Sequence, residues 1–479
     1  MSSHIAVIGA GPGGYAAAFY AADLGLKVTL IDNEKNPGGV CLYRGCIPSK
    51  ALLHVAKVLD EAKHAKDWGI EFAAPKIDID KVRDYKDRVV EKLTSGTGQV
   101  SKFRKVNYIQ GWATIVDAKT ISVKKADGGE ETVNVDYMIL ATGSTPTKIP
   151  SLTVDSPRLL DSTTALDLPE IPKTMLVVGG GYIGLELGSV YAALGTKVSV
   201  VEMTPGLLPG ADRDLVKFLA QRIEKIYDKV MVSTKVTSMK PAGAGGGNPS
   251  GLPGITVTFE GEGAPKEATY DYVLVAIGRR PNATIAGLNK TRVKVDAKGF
   301  IETDGQRRTA EPTIFAIGDV AGEPMLAHKA SHEARVAVEA IEGHKAVFEP
   351  AAIPAVVFTD PEIAWAGLTE AEAEKQGIKV DVAKFPWPAS GRAIAIDRTD
   401  GMTKLLIDPA TERILGVGIV GSGAGELIAE GVLAIEMGAT ASDVKLTIHP
   451  HPTLSETVME AAEMFFGQAT HVYKPRRKS

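Results

Sequence analysis

Two cysteines are the first residues in this chain that could carry chemistry. Cys41 and Cys46 are the only cysteines among 479 residues, and they lie five positions apart. They fall at the start of a helix-like run, where a helix N-terminus stabilises the thiolate, the form of cysteine that attacks disulfides. A small structural disulfide, or two buried thiols acting as hydrophobic residues, would explain the pair without chemistry. Because an intracellular chain rarely keeps a structural bridge, we favour a redox-active dithiol.

A second candidate cluster lies near the C-terminus, in the sequence His-Pro-His-Pro-Thr-Leu-Ser-Glu at 449–456. His451 with Glu456 could form a base whose imidazole is oriented by a carboxylate and which takes a thiol proton near neutral pH. The same stretch could be a rigid loop before a helix capped by Ser455, or a weak metal-binding His-x-His. A dithiol that needs an acid–base partner favours the catalytic interpretation, and we predict no metal site.

Two dinucleotide-binding fingerprints, each a strand, a glycine-rich turn and a helix, recur along the chain. Each is followed by an acid that lies 23 residues after the first glycine, at the end of a second strand. One such turn is a weak signal, but two in this context are strong. The glycines let backbone N–H groups approach a pyrophosphate at the helix N-terminus. The positions are Gly9, Gly11, Gly14 and Asp32 in the first repeat, and Gly179, Gly181, Gly184 and Glu202 in the second.

The acids indicate which nucleotides are bound. Asp32 and Glu202 would each accept a hydrogen bond from an adenosine ribose, and no arginine follows Glu202 to bind a 2′-phosphate, which favours NAD over NADP. Because a dithiol does not readily accept hydride from nicotinamide, a flavin is expected between them. The first repeat leads directly into the cysteines, so we predict FAD there and NAD in the second repeat. A buried strand ending at Asp319 suits a ribityl hydroxyl.

Composition limits the class of protein. The hydrophobic fraction of 44% and charged fraction of 23% are those of a soluble globular protein, and the length suggests about three domains. A net charge of -4 gives no hint of nucleic-acid binding, and no apolar stretch approaches the ~20 residues that span a bilayer. We expect a cytoplasmic protein without a targeting segment, and a solvated basic tail at 474–478.

The pattern of elements predicts an α/β protein with two Rossmann-like nucleotide-binding domains and a C-terminal α+β unit. Helix-like patterns cover about 51–66 and 79–104, and two late helices follow the last strands. A Gly/Pro-rich insert at 240–254 is expected to be a flexible hairpin loop. The predicted boundaries are 1–150 for the FAD domain with the dithiol, 151–277 for the NAD domain, 278–350 for a central domain completing the FAD site, and 351–479 for the C-terminal unit.

The motifs, in this order, resemble the pyridine nucleotide–disulfide oxidoreductase family over essentially the whole chain. The most specific are Gly-Cys-Ile-Pro-Ser-Lys and His-x-His-Pro-Thr-Leu-Ser-Glu. The resemblance implies that Cys41 is the interchange thiol and Cys46 the flavin-facing thiolate. It implies that His451, oriented by Glu456, acts from the partner subunit of an obligate homodimer formed through 351–479. It further implies FAD contacts at Asp32, Lys50, Gly111, Ala113, Asp319 and Ala327, and NAD contacts at Gly181, Gly184, Glu202, Val236 and Gly278.

The implied activity is oxidation of protein-bound dihydrolipoyl groups by NAD⁺ through the Cys41–Cys46 disulfide. The implied partners are lipoyl domains and the assembly (acyltransferase) subunits of 2-oxoacid dehydrogenase complexes. Alternatives are a glutathione-type or mercuric reductase, a transhydrogenase or NADH oxidase, or a mainly structural flavoprotein subunit. A glutathione-type reductase that uses NADP would need arginines after Glu202, and a mercuric reductase would carry further terminal cysteines. A transhydrogenase or NADH oxidase would not need both cysteines, and a structural subunit should lack the thiols or the base.

One departure from the family lies between the cysteines. Members of the family often have Asn-Val where this chain has Tyr43 and Arg44. An arginine beside the dithiol would favour a thiolate, so we hypothesise that Arg44 lowers the pKa of a thiol and leaves the reaction class intact.

Overall fold

A computed structural model describes residues 2–243 and 253–473. The basic tail at 474–478 and most of the Gly/Pro-rich insert lie outside the described residues. The described part confirms the predicted α/β fold, with two nucleotide-binding units and a C-terminal α+β unit. Within these two ranges, no helix is both long and apolar enough to cross a membrane.

The first nucleotide-binding unit has buried parallel strands, whose continuous apolar runs are typical of a sheet covered on both faces. The helix that carries Cys46 begins at that cysteine rather than at Ala51, because Pro48 lies in the first turn, where a proline costs no hydrogen bond. The elements are β1 (His4–Ile8), α1 (Pro12–Asp23), β2 (Lys27–Asp32), α2 (Gly39–Arg44), α3 (Cys46–His64), α4 (Ile79–Phe103), β3 (Asn107–Asp117), β4 (Thr120–Lys125), β5 (Glu130–Asn134), β6 (Tyr137–Leu140) and β7 (Ser144–Pro146).

The second nucleotide-binding unit repeats the first. Its five-stranded parallel sheet has the order β11-β10-β9-β15-β8, and the antiparallel strands β12 and β13 pair on either side of the Gly/Pro-rich insert. The elements are β8 (Leu159–Leu160), β9 (Thr174–Val178), α5 (Tyr182–Ala193), β10 (Lys197–Val201), α6 (Arg213–Ile226), β11 (Lys229–Met231), β12 (Lys235–Pro241), β13 (Ile255–Glu260), β14 (Glu267–Tyr270) and β15 (Tyr272–Val275).

The glycine-rich turns of the two units share one geometry. Gly9 has φ +97° and Gly179 has φ +108°, a region that residues with a side chain rarely occupy. A Cβ atom on Gly14 would collide with the carbonyl oxygen of Gly9, and one on Gly184 with that of Gly179. Glycine at these positions is therefore what allows each helix to start close to its strand.

Residues 278–350 extend the sheet of the first unit. β17 pairs in parallel with β6 at the edge of the seven-stranded sheet β17-β6-β1-β2-β3-β4-β5, and α7 packs on α1. Asp319 follows β17 and so reaches the carboxyl edge of the sheet, near the first glycine turn. The elements of this segment are β16 (Arg279–Pro281), β17 (Ile314–Ala316) and α7 (Ala327–Ile341).

The C-terminal unit is an antiparallel sheet, ordered β18-β19-β22-β21-β20, with helices after its last strand. Three helices follow β22 in the described residues, where two were predicted. The additional helix, α11, begins with a capping box. It has only six residues, which is too short for apolar periodicity to predict it. The elements are β18 (Ala355–Val357), β19 (Glu362–Gly367), α8 (Glu370–Gln376), β20 (Asp381–Pro386), α9 (Gly391–Ala395), β21 (Met402–Ile407), β22 (Ile414–Gly421), α10 (Ala424–Glu436), α11 (Ala441–Leu446) and α12 (Glu456–Phe466).

A buried lysine joins the second nucleotide-binding unit to the C-terminal unit. Lys404 on β21 is 1% exposed, and its Nζ lies 2.6 Å from Asp212, 2.8 Å from Asp214 and 2.6 Å from Glu370. Lys384 contacts the last two carboxylates from β20. The cluster therefore holds the start of α6 against the C-terminal sheet through compensating charges.

Removing that ammonium should destabilise the protein. Lys404→Met leaves three carboxylates with one cation, and an uncompensated buried charge costs about 3–5 kcal/mol. We expect a clear fall in the thermal unfolding temperature of the holoenzyme. The control is Lys240→Met, which removes an exposed lysine paired with Glu267 at 2.9 Å and should change little. Equal melting temperatures for the two variants would show that the cluster does not join the units.

Candidate active site

The two cysteines lie on consecutive helices that meet at a glycine. Cys41 lies in α2, and Cys46 is the first residue of α3. A Cβ atom on Gly45, between them, would lie 2.9 Å from the carbonyl oxygen of Val40, so the tight junction favours glycine. Both cysteines are free thiols, with Cys41 half-buried and Cys46 exposed. The local fold therefore brings the two sulfurs into hydrogen-bonding contact.

The two thiols ionise differently. The hydrogen bond from Cys41 lowers the pKa of Cys46, and the charge of Lys50 adds to this effect against the opposing effect of burial. The same hydrogen bond, followed by burial, raises the pKa of Cys41. The first turn of α3 also favours a negative charge at Cys46. The reduced pair is thus poised to hold one thiolate, on Cys46, and one thiol, on Cys41.

The cation beside Cys46 belongs to a contact between three parts of the chain. Lys50, one turn along α3, pairs with Glu186 of α5 at 2.9 Å. Glu186 is 3% exposed, and its other oxygen accepts the N–H of Phe358 from the C-terminal unit at 2.9 Å. The Lys50 ammonium also lies 4.3 Å from the centre of the Phe358 ring. Glu186 was not predicted as a site residue, and its one signal in the sequence is that it is the only charged residue of α5.

A cavity of about 430 Å³ connects the dithiol to the first glycine turn. Residues of α5, including Tyr182 and Glu186, line it from the second unit, so both nucleotide-binding units border one space. Trp112 lines it from β3, while its neighbours Gly111 and Ala113 pair with β4 and do not line it. Of the residues predicted from the sequence, those that line it are Gly9, Gly11, Asp32, Cys41, Cys46, Lys50, Asp319 and Ala327.

The acid of each fingerprint is held by its own backbone in the same way. One carboxylate oxygen accepts the N–H of the residue after the first glycine, and the other accepts the N–H two residues beyond the acid. This pairing fixes each carboxylate at the end of its strand, beside the glycine turn. The distances are 2.6 Å (Ala10 to Asp32), 2.9 Å (Glu34 to Asp32), 2.7 Å (Gly180 to Glu202) and 2.7 Å (Thr204 to Glu202).

The other predicted NAD residues lie around the second turn. Gly181 is the residue before α5, and Gly184 lies in its first turn. Gly278, with φ +116°, follows the last strand of the second sheet. Val236 is 6% exposed and packs in the apolar core under β12, so its side chain supports the unit from inside.

Asp319 is fixed by residues that sequence analysis did not single out. Ser144 donates its hydroxyl to Asp319 at 2.5 Å, and Arg279 donates to the Ser144 hydroxyl at 2.8 Å. The N–H of Gly318, the residue before Asp319, donates to the buried carboxylate of Glu333 at 2.6 Å. These contacts come from segments far apart in the chain, so no local spacing indicates them.

The predicted base and its carboxylate are paired. His451 Nδ1 lies 2.9 Å from Glu456, whose second oxygen accepts the N–H of Thr453 at 2.7 Å. Although burial opposes it, these two hydrogen bonds lower the pKa of Glu456. With Nδ1 donating to the carboxylate, Nε2 is the basic nitrogen, and the imidazole is 72% exposed. His451 does not line the dithiol cavity of its own chain.

Large apolar side chains near this histidine are exposed. Leu446 is 77% exposed and Ile448 is 94% exposed, and Met437, the residue after α10, is 75% exposed. Apolar surface of this kind marks a protein–protein contact. The face that carries His451 therefore has the character of a subunit interface.

The structure gives Arg44 a different partner from the one we expected. Its guanidinium pairs with the carboxylate of Glu34, and the cation that acts on Cys46 is Lys50. The hypothesis that Arg44 lowers a thiol pKa therefore has no support in the contacts of this side chain.

Two dinucleotide folds that share a cavity with a thiol pair define a dithiol–disulfide oxidoreductase that works with two nucleotides. Residues 3–334 match the family model described as pyridine nucleotide-disulphide oxidoreductase, and residues 353–462 match the dimerisation domain of the same family. The chain belongs to this family and forms a homodimer.

Known relatives extend over the whole chain. It is 49% identical to a dihydrolipoyl dehydrogenase of Haemophilus influenzae over 100% of this chain and 98% of that protein, and 49% identical to one of Vibrio cholerae over the same shares. Among solved structures, LpdA of Mycobacterium tuberculosis matches with a TM-score of 0.88 and 26% identity, covering 97% of this chain and 99% of that chain. The flavoprotein disulfide reductase RclA of Escherichia coli matches with a TM-score of 0.82 and 25% identity, covering 95% and 98%.

FAD and NAD are the cofactors of this family and of this chain. The residues present fit such groups. Glycine turns leave room for a pyrophosphate at two helix starts, and a fixed carboxylate stands beside each turn for a ribose. The cavity places Cys46, Lys50 and the Asp319 carboxylate along one path that a flavin nucleotide could occupy.

The role of Lys50 can be measured on the thiols. Lys50→Met removes a charge that lowers the pKa of Cys46, so the thiolate should form only at higher pH. We expect iodoacetamide to label Cys46 of the reduced protein roughly fivefold more slowly at pH 7. The control is Lys57→Met on the same helix, where the lysine lies 4.0 Å from Glu61. Identical pH curves for both variants would exclude the proposed charge effect.

Proposed function

We propose that this chain is a dihydrolipoyl dehydrogenase, which oxidises protein-bound dihydrolipoyl groups with NAD⁺. The observation that carries the proposal is the thiol pair inside the shared nucleotide cavity, in a chain that matches dihydrolipoyl dehydrogenases over its full length. The retained thiol pair and the His451–Glu456 pair argue against a structural subunit without catalysis.

FAD occupies the first fingerprint and NAD the second in this proposal. Asp32 serves the adenosine ribose of FAD and Asp319 its ribityl chain, while Gly14 keeps α1 close to β1. Gly111 and Ala113, which flank the cavity-lining Trp112, would contact FAD through their backbone. Glu202 selects NAD, because a fixed carboxylate at this position repels a 2′-phosphate.

The chain's own residues account for the thiol chemistry. His451 removes a proton from one substrate thiol, and the resulting thiolate attacks Cys41 of the enzyme disulfide. The Cys41–Cys46 bond breaks, Cys46 leaves as a thiolate, and a mixed disulfide forms at Cys41. The second substrate sulfur then attacks the substrate sulfur of the mixed disulfide, which releases the cyclic disulfide, and the proton of this second thiol passes to Cys41, which is left as a thiol.

The contacts of Cys46 suit its role as the leaving group. Lys50 and the hydrogen bond from Cys41 stabilise its thiolate, so the pair holds two electrons at the side of the cavity that α5 borders. FAD, which Asp32 and Asp319 would hold, would supply the route for these two electrons to NAD⁺, so that the Cys41–Cys46 disulfide forms again and NADH and one proton are the products.

A second copy of the chain supplies the base. His451 is exposed on the C-terminal unit and absent from the lining of its own dithiol cavity, so docking of the apolar face on a partner would bring it to the other dithiol. Its Nε2 remains accessible because Nδ1 is held by Glu456. Dimerisation would therefore complete two equivalent sites.

The proposed partners follow from the substrate. Lipoyl groups are carried on lipoyl domains, so we propose that these domains and the assembly (acyltransferase) subunits of 2-oxoacid dehydrogenase complexes bind this homodimer.

A catalytic dithiol without structural disulfides fits a reducing compartment, and we propose that the protein is located in the cytoplasm.

The purified yellow protein should form NADH rapidly from dihydrolipoamide and NAD⁺. NADP⁺ in a parallel assay should give little NADPH, because of Glu202. Cys46→Ser is the control and should abolish turnover, since the disulfide cannot form. Absence of NADH formation by a protein with bound flavin, combined with reduction of glutathione disulfide, would contradict the proposal and assign a glutathione-type reductase instead.

A further inference from the structure

Arg44 lies between the two cysteines in the sequence, but its charge is directed elsewhere. It ends α2, and its guanidinium pairs with the carboxylate of Glu34. The Glu34 N–H donates to Asp32 at 2.9 Å, so Arg44 adjoins the acid of the first fingerprint. Arg44, Glu34 and Asp32 all line the cavity that contains the dithiol.

This end of the cavity carries an excess of negative charge that Arg44 reduces. Burial raises the pKa of Asp32 and the nearby charge of Glu34 acts in the same direction, whereas the charge of Arg44 opposes both. A flavin dinucleotide adds a pyrophosphate with two further negative charges beside the same turn. Without a cation, the two carboxylates would repel that pyrophosphate.

The other cations that line the cavity, among the described residues, contact partners outside the first fingerprint. Lys50 pairs with Glu186, and Arg279 donates to Ser144 beside Asp319. Neither is paired with Asp32, the acid of the first fingerprint, or with the nearby Glu34. Arg44 is the lining cation whose ion pair includes one of them.

We propose that Arg44 is a cofactor-retention residue, which neutralises the acids at the adenosine end and so holds FAD in the first nucleotide site. It also ties α2, the helix that carries Cys41, to the end of β2, where Asp32 lies. This inference rests on the proposed placement of FAD in the first site. It assigns Arg44 to cofactor binding and leaves the ionisation of the thiols to Cys41 and Lys50.

The test measures release of flavin from the holoenzyme, without substrate. Each protein is diluted to nanomolar concentration, and the rise in flavin fluorescence gives the rate of FAD release. The variants are Arg44→Val, which removes the charge, and Arg44→Lys, which keeps it. The control is Arg104→Val in the same unit, which removes an arginine paired with Asp23 at 2.8 Å outside the cavity.

The expected result is a roughly fivefold faster FAD release from Arg44→Val, because a partly exposed ion pair contributes up to about 1 kcal/mol. Arg44→Lys should release FAD more slowly than Arg44→Val, and added salt should reduce the difference between Arg44→Val and the unmodified protein. Arg104→Val should behave like the unmodified protein. Circular dichroism confirms that each variant is folded before dilution.

A second measurement separates cofactor retention from an effect on the thiols. The pH dependence of iodoacetamide labelling at Cys46 in the reduced holoenzyme should be the same with and without Arg44. A shifted labelling curve with unchanged FAD release would overturn the proposal, as would equal release by Arg44→Val and Arg104→Val, or by Arg44→Val and Arg44→Lys. Failure of the proposed enzymatic function would appear separately, as absent NADH formation by the unmodified flavoprotein.

Discussion

The ion pair between Lys50 and the buried carboxylate of Glu186 is the interaction on which the rest of the site depends. A carboxylate that is 3% exposed would be costly without a partner, and Lys50 and the N–H of Phe358 supply two. Because the three residues come from different units, the pair fixes the dithiol helix relative to both the second nucleotide site and the C-terminal unit. The same ammonium favours the thiolate of Cys46, so one contact serves both position and ionisation.

This arrangement gives the two thiols of the reduced pair different pKa values. In the reduced pair, the hydrogen bond between the thiols and the charge of Lys50 lower the pKa of Cys46, whereas the same hydrogen bond and burial raise the pKa of Cys41, so the two sulfurs differ chemically. The nucleotide cavity, the fixed acids and α5 all lie within one chain. The proposed base, His451, is exposed on the C-terminal unit and does not line the dithiol cavity of its own chain. The proposed active site therefore requires two chains.

Local patterns predicted much of this molecule. The repeated strand, glycine turn and acid predicted both nucleotide-binding units, and the spacing of His451 and Glu456 predicted a pair that the structure shows at 2.9 Å. What could not be predicted depends on contacts between distant segments. Glu186 and Ser144 acquire their roles only when separate elements meet at the cavity. Arg44 shows the opposite failure, since nearness to the cysteines in sequence suggested an effect on them, whereas helix α2 directs its charge to Glu34.

Subunit complementation tests the two-chain site most directly. Cys46→Ser subunits keep the base and lose the dithiol, and His451→Gln subunits keep the dithiol and lose the base, so each homodimer should be nearly inactive. If His451 acts across the interface, each mixed dimer contains one intact site of two. Because random pairing of co-expressed subunits makes about half of the dimers mixed, the preparation should recover up to about a quarter of normal NADH formation from dihydrolipoamide. Mixed dimers that are as inactive as the two parent homodimers would contradict the account, because they would place base and dithiol in the same chain.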